Sequence, residues 1–382
     1  MPYEIVRFPH AGTVDADGHV LEPATLWEDY LEERYRARAM RVRVDDEGLE
    51  YLEIDGRPSE RTNKGALGLM GAMGDETARP GPDRRYMDTM PYGAGDAKER
   101  IDLLDQENLE KAVLYPTIGL LWECEVNDPE ITLAYQRAYN RWIADFCRDS
   151  GGRLVPVAHL TLLDPEGSAD ELERAVADGC RGGFVAPYTH SQKPHGHPDH
   201  DPLWSRAVSL GVPLAIHPTF EPLWAAPVRF KKLGRAREFH YNVMLKQGVQ
   251  QAFLSMIAMG ALDRFPTLRL GVLEAGAGWI GSFLDRADAV AETGVGKMVG
   301  LKKMPTEYFR DQCFISADPD EKAVSWVIDP IGPDCFMWAT DYPHPDHPGT
   351  WAHSLEKLVE PLSPETRAKV LGENVTRIYG LD

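Results

Sequence analysis

Residues 336-FMWATDYPHPD-346 place a carboxylate directly after an apolar run, because Asp341 follows a stretch that has no charged side chain. A short continuous apolar run is typical of a strand that is buried on both faces of a sheet. An unpaired carboxylate is costly at the end of such a strand, so a cation or a positive side chain should lie close to Asp341. The structural alternative is that Asp341 caps a helix or forms a salt bridge.

A second pair of polar groups ends an apolar run near the N-terminus, in 14-VDADGHVLEP-23. Asp17 and His19 are separated by one residue and therefore point to the same side of an extended strand. Gly18 between them allows the backbone to bend at the strand end. The pair can bind one metal ion; the alternative is a turn aspartate beside a surface histidine.

A third apolar run, 212-VPLAIHPTF-220, ends on His217. Taken alone, this histidine is more simply a buried core residue, but together with the other strand-end groups the metal-ligand interpretation is the better one. The predicted metal ligands are Asp17, His19, His217 and Asp341. Imidazoles and carboxylates without a thiolate suit Zn²⁺, Mn²⁺ or Fe²⁺. Zn²⁺ is the default expectation, and Mn²⁺ competes with it because half of the ligands are carboxylates.

The rest of the chain repeats one pattern, in which a short apolar run is followed by a polar turn and a helical segment. We expect strands at 13–16, 111–115, 154–158, 183–186, 213–217, 269–274, 313–316 and 335–340. We expect helices at 98–109, 129–149, 170–179, 202–211, 246–265, 279–292 and 363–380, the last one capped by Ser363. Eight strands that alternate with helices predict an α/β fold of the (β/α)8 TIM-barrel type, whose functional residues lie at the carboxyl ends of the strands.

Two stretches break this pattern and are predicted to be insertions within a single domain that spans 1–382. Residues 22–97 follow strand one, and residues 218–245 follow strand five. Long insertions after barrel strands usually act as lids or interfaces, and the alternative is a poorly ordered decoration. The second insertion contains the basic segment 229-RFKKLGRAR-237, which is either a site for a substrate carboxylate or a solvated helix face.

The composition limits the classes of partner. The chain has 382 residues, 43% of them hydrophobic, and a net charge of −19, which argues against nucleic acid and against an anionic membrane surface. Five scattered cysteines form no C-x-x-C pair, so a disulfide framework is not expected. There is no apolar signal core at the N-terminus and no 18-residue apolar run. We expect a cytoplasmic homo-oligomer, a dimer or tetramer, that acts on a small molecule.

Four motifs carry a resemblance to a known family. They are D-x-D-x-H-x-x-E-P near the N-terminus, A-I-H-P-T in the middle, L-E-A-G-A-G-W, and T-D-Y-P-H-P-D near the C-terminus. Together they resemble the amidohydrolase-related (amidohydrolase-2) barrels, which include aminocarboxymuconate-semialdehyde and resorcylate decarboxylases. The resemblance implies a metal-dependent TIM-barrel enzyme. It places Asp17 and His19 at the family's first ligand pair, His217 at the strand-five ligand and Asp341 at the strand-eight aspartate.

Two positions depart from the family's usual residues. Asp17 stands where relatives often have His or Glu, and Glu274 stands where many have His at the end of strand six. Glu274 is therefore expected either to act catalytically as a proton shuttle or to pair with a cation. His159 and His344 are candidates to line the substrate pocket; the alternatives are a satisfied core residue and an ordinary loop residue.

The ligand set alone is compatible with more than one reaction. In a hydrolase, Asp341 would take a proton from an activated water and pass it to the leaving group. In a decarboxylase, Asp341 would deliver a proton to carbon as CO₂ departs. The resemblance favours a decarboxylase acting on an aromatic or unsaturated small carboxylic acid, with hydrolysis of a C–C or C–N bond as the alternative. A non-catalytic barrel that binds a ligand is the third possibility.

Overall fold

The computed structural model describes residues 3–226, 230 and 232–381. Its strands are β1 (Thr13–His19), β2 (Arg41–Val44), β3 (Glu50–Ile54), β4 (Arg57–Pro58), β5 (Leu109–Tyr115), β6 (Leu154–Pro156), β7 (Ala158–Leu160), β8 (Gly183–Val185), β9 (Leu214–Ile216), β10 (Leu270–Val272), β11 (Cys313–Ala317) and β12 (Phe336–Trp338). Each of the eight predicted strands is present. The predicted strand at 154–158 is divided at Val157 into β6 and β7.

The strands other than β2–β4 run parallel in two sheets. One sheet has the order β1-β5-β6 and the next has the order β7-β8-β9-β10-β11-β12. Two backbone hydrogen bonds join the residues after β12 to the end of β1: Asp341 donates to Asp17 at 3.0 Å, and His19 donates to Tyr342 at 2.7 Å. These bonds bring the last strand back to the first. The predicted (β/α)8 fold class is confirmed.

The helices cover the outside of the strands. They are α1 (Leu26–Tyr30), α2 (Ala97–Glu107), α3 (Pro129–Cys147), α4 (Pro165–Ala177), α5 (Asp201–Leu210), α6 (Arg237–Met244), α7 (Lys246–Ala258), α8 (Ala261–Arg264), α9 (Ile280–Ala291), α10 (Gly294–Lys297), α11 (Pro305–Gln312), α12 (Ile328–Ile331), α13 (Trp351–Val359), α14 (Pro364–Ala368) and α15 (Asn374–Tyr379). A buried apolar cluster that includes Val14, Val113, Val155, Phe184, Ala215, Phe314 and Met337 has one or more members from most of the barrel strands. A larger cluster packs the helices against the strands.

Three predicted helices have different limits in the structure. Helix α4 begins at Pro165, five residues earlier than predicted, because the side chain of Asp164 caps it by accepting from the backbone of Gly167. The predicted helix 246–265 is divided at Gly260, whose φ of +70° leaves the helical region. The closing segment has a π-helical turn at Lys369–Glu373, and Ser363 caps its start as predicted.

The segment after β1 has regular structure that the sequence patterns did not predict. Strands β2, β3 and β4 form an antiparallel sheet, and the backbone of Met73 donates to the carbonyl of Pro343 at 3.1 Å. This bond ties the segment to the loop that follows Asp341. In the segment after β9, residues 227–229 and 231 lie outside the described residues, and so Arg229 and Lys231 of the basic segment do too. The single-domain assignment with two insertions stays a prediction.

Two further observations concern the helices and the cysteines. No helix in the part of the chain that the structure describes is long and apolar enough to cross a membrane. The five cysteines are buried and unpaired.

Candidate active site

The four predicted metal ligands lie together at the carboxyl ends of the barrel strands. His19 Nε2, at the end of β1, is 3.1 Å from Asp341 Oδ1, which follows β12. Asp17 Oδ1 is 3.5 Å from His19 Nε2 and 3.5 Å from His217 Nε2. The barrel therefore brings side chains from three separated strands into one small space.

Glu274, which follows β10, joins this group. Its Oε2 lies 3.0 Å from His217 Nε2 and 3.7 Å from His19 Nε2. Asp17, His19, His217 and Glu274 each offer an atom within 4.8 Å of the others, a spacing suited to one metal ion. Sequence patterns left two roles open for Glu274, a proton shuttle or a partner of a cation, and the structure places its carboxylate beside two candidate ligands.

Polar atoms in this group are buried without hydrogen-bond partners. They are both carboxylate oxygens of Asp17, Nε2 of His19, Nε2 of His217, Oε2 of Glu274 and Oδ2 of Asp341. Each unsatisfied buried polar atom costs free energy, and several in one place indicate a missing counter-charge. A divalent cation would satisfy all of them at once, so the residues fit the ion that the sequence patterns predicted.

The two histidines are held in the tautomer that metal binding requires. His19 Nδ1 lies 2.7 Å from the carbonyl of Pro116, and His217 Nδ1 lies 2.7 Å from the carbonyl of Pro218. A carbonyl oxygen only accepts, so each Nδ1 donates its proton to it. Each Nε2 then carries a lone pair directed toward the carboxylates.

The carboxyl groups of the cluster differ in proton affinity. Burial and the charges of Asp341 and Asp17 raise the pKa of Glu274 well above its ordinary value. Burial opposes ionisation of Asp341, but the neighbouring His344 and His19 outweigh it and lower the pKa of this carboxyl. Glu274 is therefore stable in this cluster when it binds a proton or lies beside a cation, whereas Asp341 is stabilised as the anion.

Backbone geometry is unusual at two of these positions. Glu274 has a φ of +43° and Asp341 a φ of +56°, both in the left-handed region that residues other than glycine seldom adopt. Such conformations cost free energy and persist where the surrounding structure fixes them, which is common at functional sites. Both carboxylates lie near His19 Nε2, at 3.7 Å for Glu274 and 3.1 Å for Asp341.

His344 adjoins the cluster, and it offers a ring nitrogen within 4.8 Å of atoms of His19, Glu274 and Asp341. Its Nδ1 is 2.8 Å from Asp341 Oδ1, its Nε2 is 2.9 Å from the hydroxyl of Thr117, and its ring packs on His19 with centroids 4.0 Å apart. Burial lowers the pKa of His344, but the charge of Asp341 outweighs burial and raises it. Both ring nitrogens of His344 therefore have partners, Asp341 and Thr117.

His159, the other predicted pocket residue, is not part of the cluster. Its Nε2 pairs with Glu123 Oε2 at 2.9 Å, and its ring stacks on Phe184 with centroids 4.6 Å apart. Phe184 also contacts the ring of His217, at 5.4 Å between centroids. His159 is thus one aromatic ring away from a candidate ligand, in a buried network.

One residue that sequence reasoning did not single out supports the site. Glu22 is fully buried and accepts hydrogen bonds from the backbone N–H groups of Thr117, Ile118 and Gly119, at 2.9 to 3.1 Å. The same turn supplies the carbonyl that orients His19 and the hydroxyl that contacts His344. The glutamate of the D-x-D-x-H-x-x-E-P motif was the available signal.

The chain matches the amidohydrolase family Amidohydro_2 over residues 121–381. It belongs to this family. His217, Glu274 and Asp341 lie within the matched range, and Asp17 and His19 precede it. The family membership makes the chain an amidohydrolase-superfamily enzyme.

Known proteins similar to this amidohydrolase include decarboxylases. A gamma-resorcylate decarboxylase of Rhodococcus jostii is 24% identical over 302 residues, 74% of this chain and 87% of the relative. The crystal structure of an amidohydrolase from Mycobacterium avium subsp. paratuberculosis is similar with a TM-score of 0.81 at 20% identity, over 97% of this chain and 100% of that one. A dihydroxybenzoic acid decarboxylase from Polaromonas sp. JS666, with bound manganese and the inhibitor 2-nitroresorcinol, has a TM-score of 0.63 at 17% identity, over 97% and 98% of the two chains. These structures share the fold.

Proposed function

We propose that this amidohydrolase is a metal-dependent decarboxylase that acts on an aromatic or unsaturated small carboxylic acid. The observation that supports it most is the set of unpartnered, buried imidazole and carboxylate atoms at the barrel mouth. The activity named for the Rhodococcus relative supports the choice of decarboxylation over hydrolysis.

The residues that would hold the metal are Asp17, His19, His217, Glu274 and Asp341. A bound divalent cation supplies Lewis-acid stabilisation of the negative charge on substrate oxygens. Because three of these five side chains are carboxylates, we propose Mn²⁺ ahead of the Zn²⁺ expected from general frequency. The manganese bound in the Polaromonas structure supports this preference for Mn²⁺ over Zn²⁺.

The chain's own residues would supply the proton. In decarboxylation the carbon–carboxylate bond breaks, its electron pair stays on the substrate carbon, and one proton replaces the CO₂ that leaves. We assign relay of this proton to the pair of Asp341 and His344. Protonated His344, whose pKa Asp341 raises, passes its Nδ1 proton across 2.8 Å to Asp341 Oδ1, and Asp341 passes it to the substrate carbon and returns to the anion. His344 then takes a replacement proton from solvent, so each turnover consumes one solvent proton and releases one CO₂.

Glu274 is proposed to complete the metal-binding set. The alternative is that it acts as a proton shuttle, which its raised pKa would also allow. Glu274→Gln separates the two roles, because the amide keeps the shape of the side chain but removes its charge. A ligand role predicts loss of bound metal; a shuttle role predicts full metal content with a lost limb in the pH profile.

A substrate panel tests the proposed reaction. The metal-loaded enzyme is incubated with hydroxybenzoates and with muconate-like unsaturated acids, and CO₂ release is measured. Release from at least one acid, abolished by a chelator, is the expected result. Cleavage of amides or lactones without CO₂ from any acid would identify a hydrolase instead. Absence of bound metal and of both activities would favour a binding protein.

We also propose that the enzyme is a cytoplasmic homo-oligomer, a dimer or tetramer. Large apolar side chains that are more than three-quarters exposed, such as Phe239, Met298 and Trp326, support association between copies. Sedimentation of the purified protein at micromolar concentration tests the oligomeric state, and a monomer would contradict it.

A further inference from the structure

A cavity of about 440 Å³ lies between the loop that follows β8, the segment that follows β9 and helix α7. Its lining residues include Tyr188 and Lys193 from the loop, Glu221 and Trp224 from the segment, and Gln251 from the helix. None of the five candidate metal ligands is among the described residues that line it. The cavity is therefore distinct from the candidate metal site, and its volume suits a small molecule.

The side chain of Glu221 is buried in the wall of this cavity without a partner. Glu221 is 1% exposed, and neither of its carboxylate oxygens has a hydrogen-bond partner among the described residues. A buried carboxyl group that makes no hydrogen bond costs free energy, so its presence needs an explanation. A ligand in the cavity that donates hydrogen bonds to these oxygens would remove the cost.

Helix α7 leaves room for this carboxyl group at one glycine. Gly248 lies in the first turn of the helix and also lines the cavity. A Cβ at this position would lie 2.1 Å from Glu221 Oε1, a distance that no real contact allows. A glycine inside a helix costs up to about 1 kcal/mol relative to alanine. Here the glycine is required, because the helix backbone and the carboxyl group meet at the cavity wall.

The groups around Glu221 supply no counter-charge to its carboxyl group. Arg61 Nε donates to the backbone carbonyl of Glu221, at 2.8 Å, and the exposed Lys193 pairs with Asp199. Burial lowers the pKa of His195, which also lines the cavity, to about 4, so this imidazole is neutral at pH 7. Burial raises the pKa of Glu221 to about 8, against a smaller opposing effect of Arg61. Two neighbouring phenols are neutral, because burial raises the pKa of each: Tyr188 and Tyr241.

Two aromatic rings form the wall of the cavity on the solvent side of this carboxyl group. Tyr188 and Trp224 pack edge to face, with centroids 6.3 Å apart and an interplanar angle of 89°. The side chain of Trp224 is 53% exposed, so a ligand can reach it from solvent. An organic cation is attracted to the face of an aromatic ring by the ring's quadrupole. A carboxyl group without a partner beside two aromatic rings is a combination that favours an ammonium group.

We propose that this cavity binds a small primary amine as its ammonium ion, with Glu221 as the counter-ion and the rings of Tyr188 and Trp224 against its carbon skeleton. The ammonium group donates to the carboxylate oxygens that lack partners, and Glu221 gives up its proton to solvent as the cation binds. The site is separate from the proposed decarboxylation and does not depend on it.

Calorimetry at pH 7 with benzylamine, and with neutral benzyl alcohol of similar shape, tests the proposal on the metal-loaded enzyme. The wild type should bind benzylamine at least about 10-fold more tightly than benzyl alcohol. Because the free carboxyl group of Glu221 is mostly protonated at pH 7, titrations in buffers of different ionisation enthalpy should show release of about one proton per benzylamine. Glu221→Gln should weaken benzylamine at least about 10-fold, abolish this release and leave benzyl alcohol unchanged.

Two further variants guard against an effect on folding. Trp224→Ala changes an exposed side chain and should weaken benzylamine about three- to tenfold at an unchanged melting temperature, and Trp224→Phe should restore part of the affinity. The matched control is Glu292→Gln, at an exposed glutamate that does not line the cavity, and it should change no constant.

Removal of the metal separates this cavity from the candidate metal site. Chelated and metal-loaded enzyme should bind benzylamine equally, because no candidate ligand lines the cavity. No binding of benzylamine at millimolar concentration, equal affinity of the wild type for the two probes, unchanged binding in Glu221→Gln, or loss of binding on chelation would overturn the inference. CO₂ release is measured separately, so failure here leaves the proposed reaction in place.

Discussion

His19 Nε2 lies 3.1 Å from Asp341 Oδ1 across the junction where the residues after β12 meet β1. The backbone holds both side chains there, since Asp341 donates to the carbonyl of Asp17 and His19 donates to the carbonyl of Tyr342. Asp15 strengthens the same junction by accepting from the backbone and hydroxyl of Thr340, at 2.9 and 2.6 Å. The geometry of the candidate metal site therefore depends on the contact between the first and last strands.

Asp341→Asn should abolish turnover with little effect on folding. The amide keeps the size of the side chain but cannot donate and regain a proton, so kcat should fall by about 10³-fold or more. Steady-state kinetics and the melting temperature check this. Asp88→Asn is the control, because Asp88 is an exposed aspartate that is not among the candidate site residues. A variant that keeps a tenth of the activity would rule out Asp341 as the proton donor.

Gly18→Ala should destabilise the junction. A Cβ at Gly18 would lie 2.7 Å from Arg100 Nη2 and 2.7 Å from Asp15 Oδ2. Arg100 is buried and donates to the carbonyl of His19 at 3.1 Å, so neither neighbour can move freely. We expect a loss of about 1–3 kcal/mol in the free energy of unfolding. Gly81→Ala, where a Cβ meets nothing within 4 Å, should be neutral in the same denaturation experiment.

Glu22→Gln should weaken both the fold and the metal site. A glutamine has one accepting oxygen for the three N–H groups of the turn at 117–119, and the unsatisfied donors should cost about 1–3 kcal/mol. Because this turn orients His19 and His344, metal affinity should fall about 10-fold or more. Metal titration and thermal unfolding measure the two effects. Glu47→Gln is the exposed control, and loss of stability with unchanged metal affinity would reduce Glu22 to a structural role.

The free energy of unfolding should fall as the pH rises through the range in which Glu107 titrates. Burial raises the pKa of Glu107 from 4.5 to about 7, against smaller opposing effects of the Tyr3 hydrogen bond and of Arg100. The folded state therefore binds more protons than the unfolded state between these values, and stability falls across that window before it levels off. The loss from this group between pH 5 and 8 should be about 2 kcal/mol.

Glu107→Gln isolates this contribution, because the amide does not titrate and keeps the size of the side chain. Urea unfolding at pH 5 and pH 8 should show a smaller decline in the variant than in the wild-type enzyme. Parallel declines in the two proteins would show that Glu107 titrates with an ordinary pKa.

The sequence predicted those parts of the molecule whose secondary structure is determined by a local pattern of apolar and polar residues. Continuous apolar runs identified the eight barrel strands. The polar residues chosen at the strand ends, Asp17, His19, His217 and Asp341, lie together in the structure. A strand that is buried on both faces needs a run of apolar residues. In a barrel of this type the functional polar side chains lie at the carboxyl ends of the strands, so a polar residue at such an end is a candidate functional residue.

Other parts depend on contacts between distant residues and could not be predicted. The sheet of β2–β4 lies in a segment of weak periodicity, where turns rather than apolar alternation set the structure. The position of Glu274 depends on a left-handed backbone conformation that no sequence pattern encodes. His159 was expected either to line the substrate pocket or to be a satisfied core residue, and no sequence pattern indicated its pairing with Glu123.

Metal content is the measurement that tests the central claim most directly. The wild-type enzyme, purified from medium supplemented with Mn²⁺ and Zn²⁺, is compared with His19→Ala and His217→Ala by elemental analysis. We predict about one equivalent of a divalent metal in the wild type, with Mn²⁺ restoring activity to chelated enzyme, and less than about a tenth of an equivalent in each variant. Equal metal content in all three proteins, or a fully active enzyme without metal, would contradict the account.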